Sequence, residues 1–223
     1  MMKRFRVILF IILSLPKTII FNILSFKFLD AIKLPVLVGY NIKVKSTKRG
    51  VICFEGKKQP FMVRFGFGGS DGVISNQKGE ICITSGKIIF KGKAGFSAGC
   101  SLRNTGTLIF GGDFNANKNT YINCCNSISI GESAMLGWNV VIIDGDGHPL
   151  VKDGVTKPYS KPIVIGNHVW LCAESHVLKG AHLGDNCVLA YRSLLTKEID
   201  GDNLLVGGSP AKIIDSNINW KEK

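Results

Sequence analysis

Four histidines stand at positions 148, 168, 176 and 182. Imidazole is the side chain best suited to take and return a proton near neutral pH, so each is a candidate general base. His148 alone lies in a stretch without hydrophobic periodicity, DGDGHPLVKDGVTKPYSKP (144–162), flanked by Gly147 and Pro149. Asp144 and Asp146 precede it closely. Either could fix the tautomer of the ring and strengthen it as a base, or act as a turn former beside Gly145 and Gly147. The seven cysteines (53, 82, 100, 124, 125, 172 and 187) are odd in number, include one adjacent pair and contain no CxxC. That pattern fits neither a disulfide framework nor a zinc site; it reads as small buried hydrophobes in a reducing compartment.

What must position His148 is visible in the repeat on either side of it. From Ile165 the chain reads in blocks of six: IGNHVW, LCAESH, VLKGAH, LGDNCV, LAYRSL, then Leu195. The first residue of each block is aliphatic, the second is small in four of five, and the fifth is small or β-branched. A period of six belongs neither to a helix nor to a single strand. A triangular coil with one block per flat side produces it, aliphatics pointing to the axis and the small residue letting the chain turn the corner. The register recurs at Ile130, Leu136 and Ile142; further upstream Phe110, Ala116 and Ile122 keep the spacing before the phase slips by two. Residues 81–110 are expected to form irregular first coils. Polar, Gly/Pro-rich residues 143–162 must leave the coil as a loop, and such loops are usually functional. His176 and His182, six apart, are expected to stack on adjacent coils with Trp170 in the same column. Pro210 is placed to start a short helix closing the last coil.

The net charge of +12 is concentrated at one end: residues 1–64 carry thirteen Lys or Arg against only Asp30 and Glu55. This end suits an anionic partner, with no recognisable nucleic-acid module. Lys3, Arg4 and Arg6 precede the apolar run Val7–Leu15, which Pro16 and Lys17 are expected to stop after nine residues. Nine residues are too few to span a bilayer, and no small-x-small cleavage site follows. The reading is an amphipathic segment that touches membrane peripherally through residues 1–35. The chain therefore divides into a basic N-terminal segment (1–64), an all-β parallel helix (65–208) with the loop 143–162, and a capping tail (209–223).

The repeat 165–195, the closing segment VGGSPAKII (206–214) and the loop motif DGDGHPL (144–150) resemble the hexapeptide-repeat acyltransferases. KFLDAIKLPVLVGY (27–40) looks like the lead-in of a branch that acetylates bacterial surface polysaccharides. The resemblance covers about half the chain. It implies a left-handed β-helix, a homotrimer, and acetyl-CoA as donor to a sugar hydroxyl, without metal; the basic end beside apolar runs too short to span points to a cytoplasmic location, and the lack of a cysteine in the loop with His148 points to direct transfer. It makes His148 the base; of the two aspartates close before it, either of which could orient the ring, Asp146 is the favoured one. Asn119 would then bind the acceptor, and Ala173, Tyr191, Thr196, Lys197 and Lys212 would line the CoA site; by the register Trp138 and Asn139 face outward, suited to stacking on the acceptor sugar or on a neighbouring subunit, and the column of Trp170 would line the CoA groove or form plain surface. Relatives usually have Gly-Ala-x-Ser where this chain has Ala190-Tyr191-Arg192-Ser193, so Tyr191 and Arg192 either clamp or narrow that groove. Acetylation of an amino sugar, serine or an antibiotic remains open, as does a non-catalytic or metal-binding β-helix scaffold.

Overall fold

The structure is a computed structural model that describes residues 2–70 and 77–221, with side chains from residue 7 onward. The charges of Lys3, Arg4 and Arg6 lie outside the described side chains.

Three parallel sheets run the length of the molecule, and successive strands belong to successive sheets. Face I has nine strands, from Val36–Val38 through Met135–Leu136, Trp170–Leu171 and Val188–Leu189 to Leu204–Gly208 and Ala211–Ser216. Faces II and III have seven each. Leaving aside the two strands of the ejected loop and the returning last strand, each strand pairs in parallel with the third one before and after it, the path of a three-sided solenoid. Three hexads make one coil, so Leu171 lies on Leu189 and Val177 on Leu195.

That arithmetic corrects the expected histidine column. Residues six apart occupy adjacent faces, not adjacent coils. Trp170 lies on face I between Met135 and Val188. His176 lies on face II between Val141 and Leu194, and His182 on face III between Val164 and Glu198.

The upstream coils are regular, contrary to expectation, and wider. Phe96, Ala116 and Leu136 stack at a step of twenty residues, against eighteen from Leu171 to Leu189. Eight residues separate inward-facing Ile122 from Ile130, where six separate Val177 from Leu183, which explains the slip in phase. The wider triangle needs bulkier filling, and phenylalanine supplies it: Phe65 stacks on Phe96 at 4.3 Å and Phe90 on Phe110 at 5.1 Å between ring centroids.

The small second residue of each block has a different purpose from the one read in the sequence. A Cβ on Gly166 or Gly184 would collide with the Asp185 carboxylate or the Gly201 carbonyl of the next coil. Small residues there let coils stack; the left-handed backbone that turns the corner falls two residues later, at Ser133, His168 and Asn186.

Both ends differ from expectation. The N-terminal helix α1 (Met2–Ser25) continues past Pro16, which stands exposed and removes one backbone N–H donor. A short helix α2 (Phe28–Ala31) follows, and the solenoid starts at Val36, so the boundary placed at 64/65 falls inside the coils. Ser14, Thr18 and Asn22 on α1 bond to the open edge of the first strand. Tyr40 N donates to Ser14 Oγ at 3.0 Å, Val38 N to Thr18 Oγ1 at 3.0 Å and Val36 N to Asn22 Oδ1 at 3.2 Å. The match is geometric: four helical residues rise about 6 Å and two strand residues about 6.6 Å. At the other end no helix forms among the described residues. Ser209 and Pro210 form a turn, and Ala211–Ser216 returns antiparallel along Leu204–Gly208. A returning strand satisfies the unpaired N–H and C=O groups of that edge directly, which a helix laid over the end would not.

Candidate active site

The loop that carries His148 leaves the solenoid at the corner between faces II and III, and its neck is braced from both neighbouring coils. Asp144 occupies an inward position and is fully buried. Its two oxygens accept the backbone N–H groups of Cys125 and Asn126 on the coil below, each at 2.8 Å. Within the neck, Lys161 N donates to Asp144 O at 3.0 Å and Asp146 N to Tyr159 O at 2.8 Å. From the coil above, Lys179 Nζ pairs with Asp146 Oδ2 at 2.5 Å and donates to Pro158 O at 2.9 Å. Gly145 lies against Cys125, where a Cβ would meet Sγ at 2.5 Å. Beyond the neck the loop closes again, Val151–Lys152 pairing antiparallel with Val155–Thr156. His148 is exposed in the short unpaired gap between these two zippered segments, next to Gly147 at φ 80°.

The two aspartates thus have distinct places. Asp144 anchors the loop to the solenoid, and Asp146 is held by Lys179. Lys179 was not among the residues singled out in the sequence. Its only signal was Leu178-Lys179-Gly180, the one block whose second position is not small.

A second group gathers at the corner between faces I and II. Lys118, Trp138, Ala173 and Tyr191 occupy equivalent positions on successive coils, joined by Asn139 N to Lys118 O, Glu174 N to Trp138 O and Arg192 N to Ala173 O at 2.9–3.2 Å. Asn119 Nδ2 donates to Asn139 Oδ1 at 3.1 Å, so these two expected acceptor residues meet. In this column small Ala173 is buried while Tyr191 on the next coil is exposed. Arg192 folds back, its Nε 2.5 Å from Glu174 Oε2 and its guanidinium 5.1 Å from the Tyr191 ring centroid. That pairing holds the Glu174 carboxyl below the usual carboxylate range. Lys212 lies opposite Gly207, beyond this column at the end of face I.

The remaining expected residues stand elsewhere. Thr196 and Lys197 are exposed at the II–III corner, the same corner as the His148 loop. Trp170 is half-buried on face I, its ring centroid 6.0 Å from that of Trp220. Trp220 in turn stacks on His168 at 4.2 Å and donates from Nε1 to His168 O at 2.7 Å. His182 pairs with Glu198 at 3.0 Å. No three His, Cys, Asp or Glu side chains gather as metal ligands among the described residues. Burial pushes the thiols of Cys125 and Cys172 up to about 11 and that of Cys100 up to about 12, so they are poor nucleophiles at neutral pH.

The family model described as bacterial transferase hexapeptide (six repeats) matches residues 162–197, the stretch that carries the clean blocks. The matched stretch is similar to the repeat of the bacterial hexapeptide transferases. The galactoside O-acetyltransferase of Escherichia coli (strain K12) is 35% identical over 117 residues, 51% of this chain and 55% of that protein. The polysialic acid O-acetyltransferase of Escherichia coli O1:K1 / APEC is 34% identical over 98 residues, 43% of this chain and 31% of its own length. The chain thus spans about half or less of the curated relatives it matches. Among solved structures, the polySia-specific acetyltransferase NeuO superposes with a TM-score of 0.58 at 17% identity, covering 85% of this chain and 79% of that one. This last likeness confirms the fold.

Proposed function

We propose that this hexapeptide-repeat protein is an acetyl-CoA-dependent O-acetyltransferase acting on a sugar hydroxyl, with His148 as its general base. The observation that carries the reading is the placement of an exposed imidazole on a loop whose neck is fastened to the coils below and above. Such bracing is what a base needs, since proton transfer demands hydrogen-bond reach to one particular hydroxyl.

Acetyl-CoA, as the acyl-donor substrate, supplies an activated thioester carbonyl. His148 accepts the proton of the sugar hydroxyl as its oxygen bonds to that carbonyl carbon. When the carbon–sulfur bond breaks, the imidazolium returns the proton to the departing sulfur. Asp146 acts through the loop by its pairing with Lys179, and direct transfer is the simplest path, since among the described residues no activated cysteine lies beside His148.

The expected site residues other than Trp170, which lies on face I, fall at two corners. His148, Asp146, Thr196 and Lys197 stand at II–III, while Asn119, Trp138, Asn139, Ala173, Tyr191 and Lys212 stand at or beside I–II. Between them face II turns Tyr121, Val141, Ile143, Leu178 and Leu194 outward, half-buried. A homotrimer of left-handed β-helices would bring one protomer's loop to its neighbour's I–II corner and cover that face. There Trp138, Asn119 and Asn139 would hold the acceptor, and the column at Ala173 and Tyr191, with Lys212, the pantetheine arm and phosphates. Trp170, Thr196 and Lys197 complete the donor set in this reading. The acceptor fits a surface-polysaccharide precursor, with the enzyme in the cytoplasm, peripheral to the inner face of the membrane.

A screen of sugar acceptors monitoring free CoA release tests the reading. Activity on a hydroxyl acceptor should fall about 10²–10⁴-fold in His148→Asn with acetyl-CoA affinity retained. The fall of rate at low pH should vanish in the variant. Near-normal turnover in His148→Asn would sink the assignment, and activity confined to amines would favour N-acetylation.

A further inference from the structure

Helix α1 is turned inside out. On an ordinary surface helix the apolar stripe faces the protein and the polar stripe faces water. Here Ser14, Thr18, Asn22 and Ser25 are fully buried against the first coil. The outward side is apolar: Ile8, Ile12, Ile19, Ile20, Ile23 and Leu24 are each 43–60% exposed. Phe28 and Leu29 of α2 extend the strip at 76% and 71%. Lys17, the one charged residue of α1 among the described side chains, points inward, its Nζ donating to the carbonyls of Tyr40 and Ile42 at 2.7 and 2.6 Å. An uninterrupted strip of this length exceeds the apolar patches that soluble monomers ordinarily leave in water.

Its rim is basic. Lys27, Lys33, Lys48 and Arg49 are exposed around the C-terminal end of α1, and Arg49 Nη2 caps the Ile23 carbonyl at 3.1 Å. The nearby carboxylate, Asp30, is already paired with Lys33 and Lys58. Two copies packed side by side in parallel through this strip would bring like-charged rims together. An anionic bilayer suits both the strip and the rim.

We propose that the outer face of α1, continued by α2, lies in the headgroup–acyl boundary of an anionic lipid bilayer, with the helix parallel to the surface. The first coil then rests on the membrane and the catalytic loop stands some coils above it. The proposal deepens the peripheral placement given above and rests on it. Val7–Ser25 is long and apolar enough to cross a membrane by length and composition. Crossing would strip the edge of Val36, Val38 and Tyr40 of its side-chain partners and carry Ser14, Thr18 and Asn22 into hydrocarbon. Both leave polar groups unsatisfied.

The test is flotation of the full-length protein with vesicles of phosphatidylcholine alone or mixed with phosphatidylglycerol, at low and high salt. Wild type should float with the anionic vesicles and less so as salt rises, because screening shortens the reach of the rim charges. Ile12→Glu/Ile20→Glu should cut the floated fraction about tenfold or more with circular dichroism and sedimentation unchanged, since both sites are exposed. Lys27→Glu/Lys33→Glu should remove the preference for anionic vesicles. Flotation of the isoleucine double variant equal to wild type would overturn the proposal. So would a changed oligomeric state with flotation intact, which would mark a subunit interface, or bound protein that resists alkaline carbonate, which would mark a spanning helix. Acetyl transfer to a soluble sugar, assayed without vesicles, should be unaffected by these variants. Its absence in wild type would count against the enzymatic reading and leave lipid docking standing.

Discussion

If Asp144 is the anchor of the catalytic loop, Asp144→Asn should loosen one corner of the solenoid and leave the rest intact. The buried carboxylate accepts two backbone N–H groups, Cys125 and Asn126, at 2.8 Å each. Hydrogen bonds to a charged group contribute about 1.5–3 kcal/mol each. Asparagine keeps one acceptor, for an ordinary bond of about 0.5–1.5 kcal/mol, and turns its NH₂ against the second N–H, leaving donors unpaired. The net local loss is about 2–4 kcal/mol. At 1.4 kcal/mol per factor of ten, amide exchange at Cys125 and Asn126 should accelerate roughly 30- to 700-fold. Hydrogen exchange followed by mass spectrometry reads this directly, with a peptide around residue 189 as the control, because solenoid coils feel mainly their nearest neighbours. Turnover should drop along with it, since the neck that aims His148 would open. Exchange at residues 125 and 126 within about threefold of wild type would refute the anchor. Equal acceleration through all coils would refute its locality.

The helix cap makes a parallel prediction. Asn22→Leu removes the partner of both the N–H and the C=O of Val36, and should destabilise the first coil by about 2–4 kcal/mol in urea unfolding; an unchanged midpoint would mean the cap is held by packing alone. The cysteines supply a pH dependence. A raised thiol leaves almost no thiolate until pH approaches the shifted value, so alkylation of native Cys100, Cys125 and Cys172 should stay slow from pH 7 to 9 and rise toward pH 11–12. Fast labelling of Cys125 at pH 7 with loss of activity would point instead to a thiol in the chemistry.

How much of this was legible in the sequence follows from how far each contact reaches along the chain. The six-residue period is local, and it carried the solenoid, the inward aliphatics and the ejected loop without help. A histidine between Gly147 and Pro149 in that loop was equally legible. Coil width was not, because two extra residues per coil look like noise until Phe96 is seen stacked on Ala116. The same error of phase placed His176 and His182 in one column, when a repeat of three sides puts them on two faces. The polar stripe of α1 was hidden for another reason: Ser14, Thr18 and Asn22 have no visible partner in the sequence until the open edge of Val36–Val38 is laid beside them. The sequence by itself determined the period, the core and the loop, all properties of residues within one coil of each other. Tertiary structure alone decided what meets across coils and at the ends. It set Lys179 on Asp146, Asp144 beneath the loop, six of the nine proposed acceptor and donor residues at or beside one corner with His148 at another, and an apolar helix face turned outward, because those contacts join segments about eighteen to thirty-five residues apart whose spacing carries no period of its own.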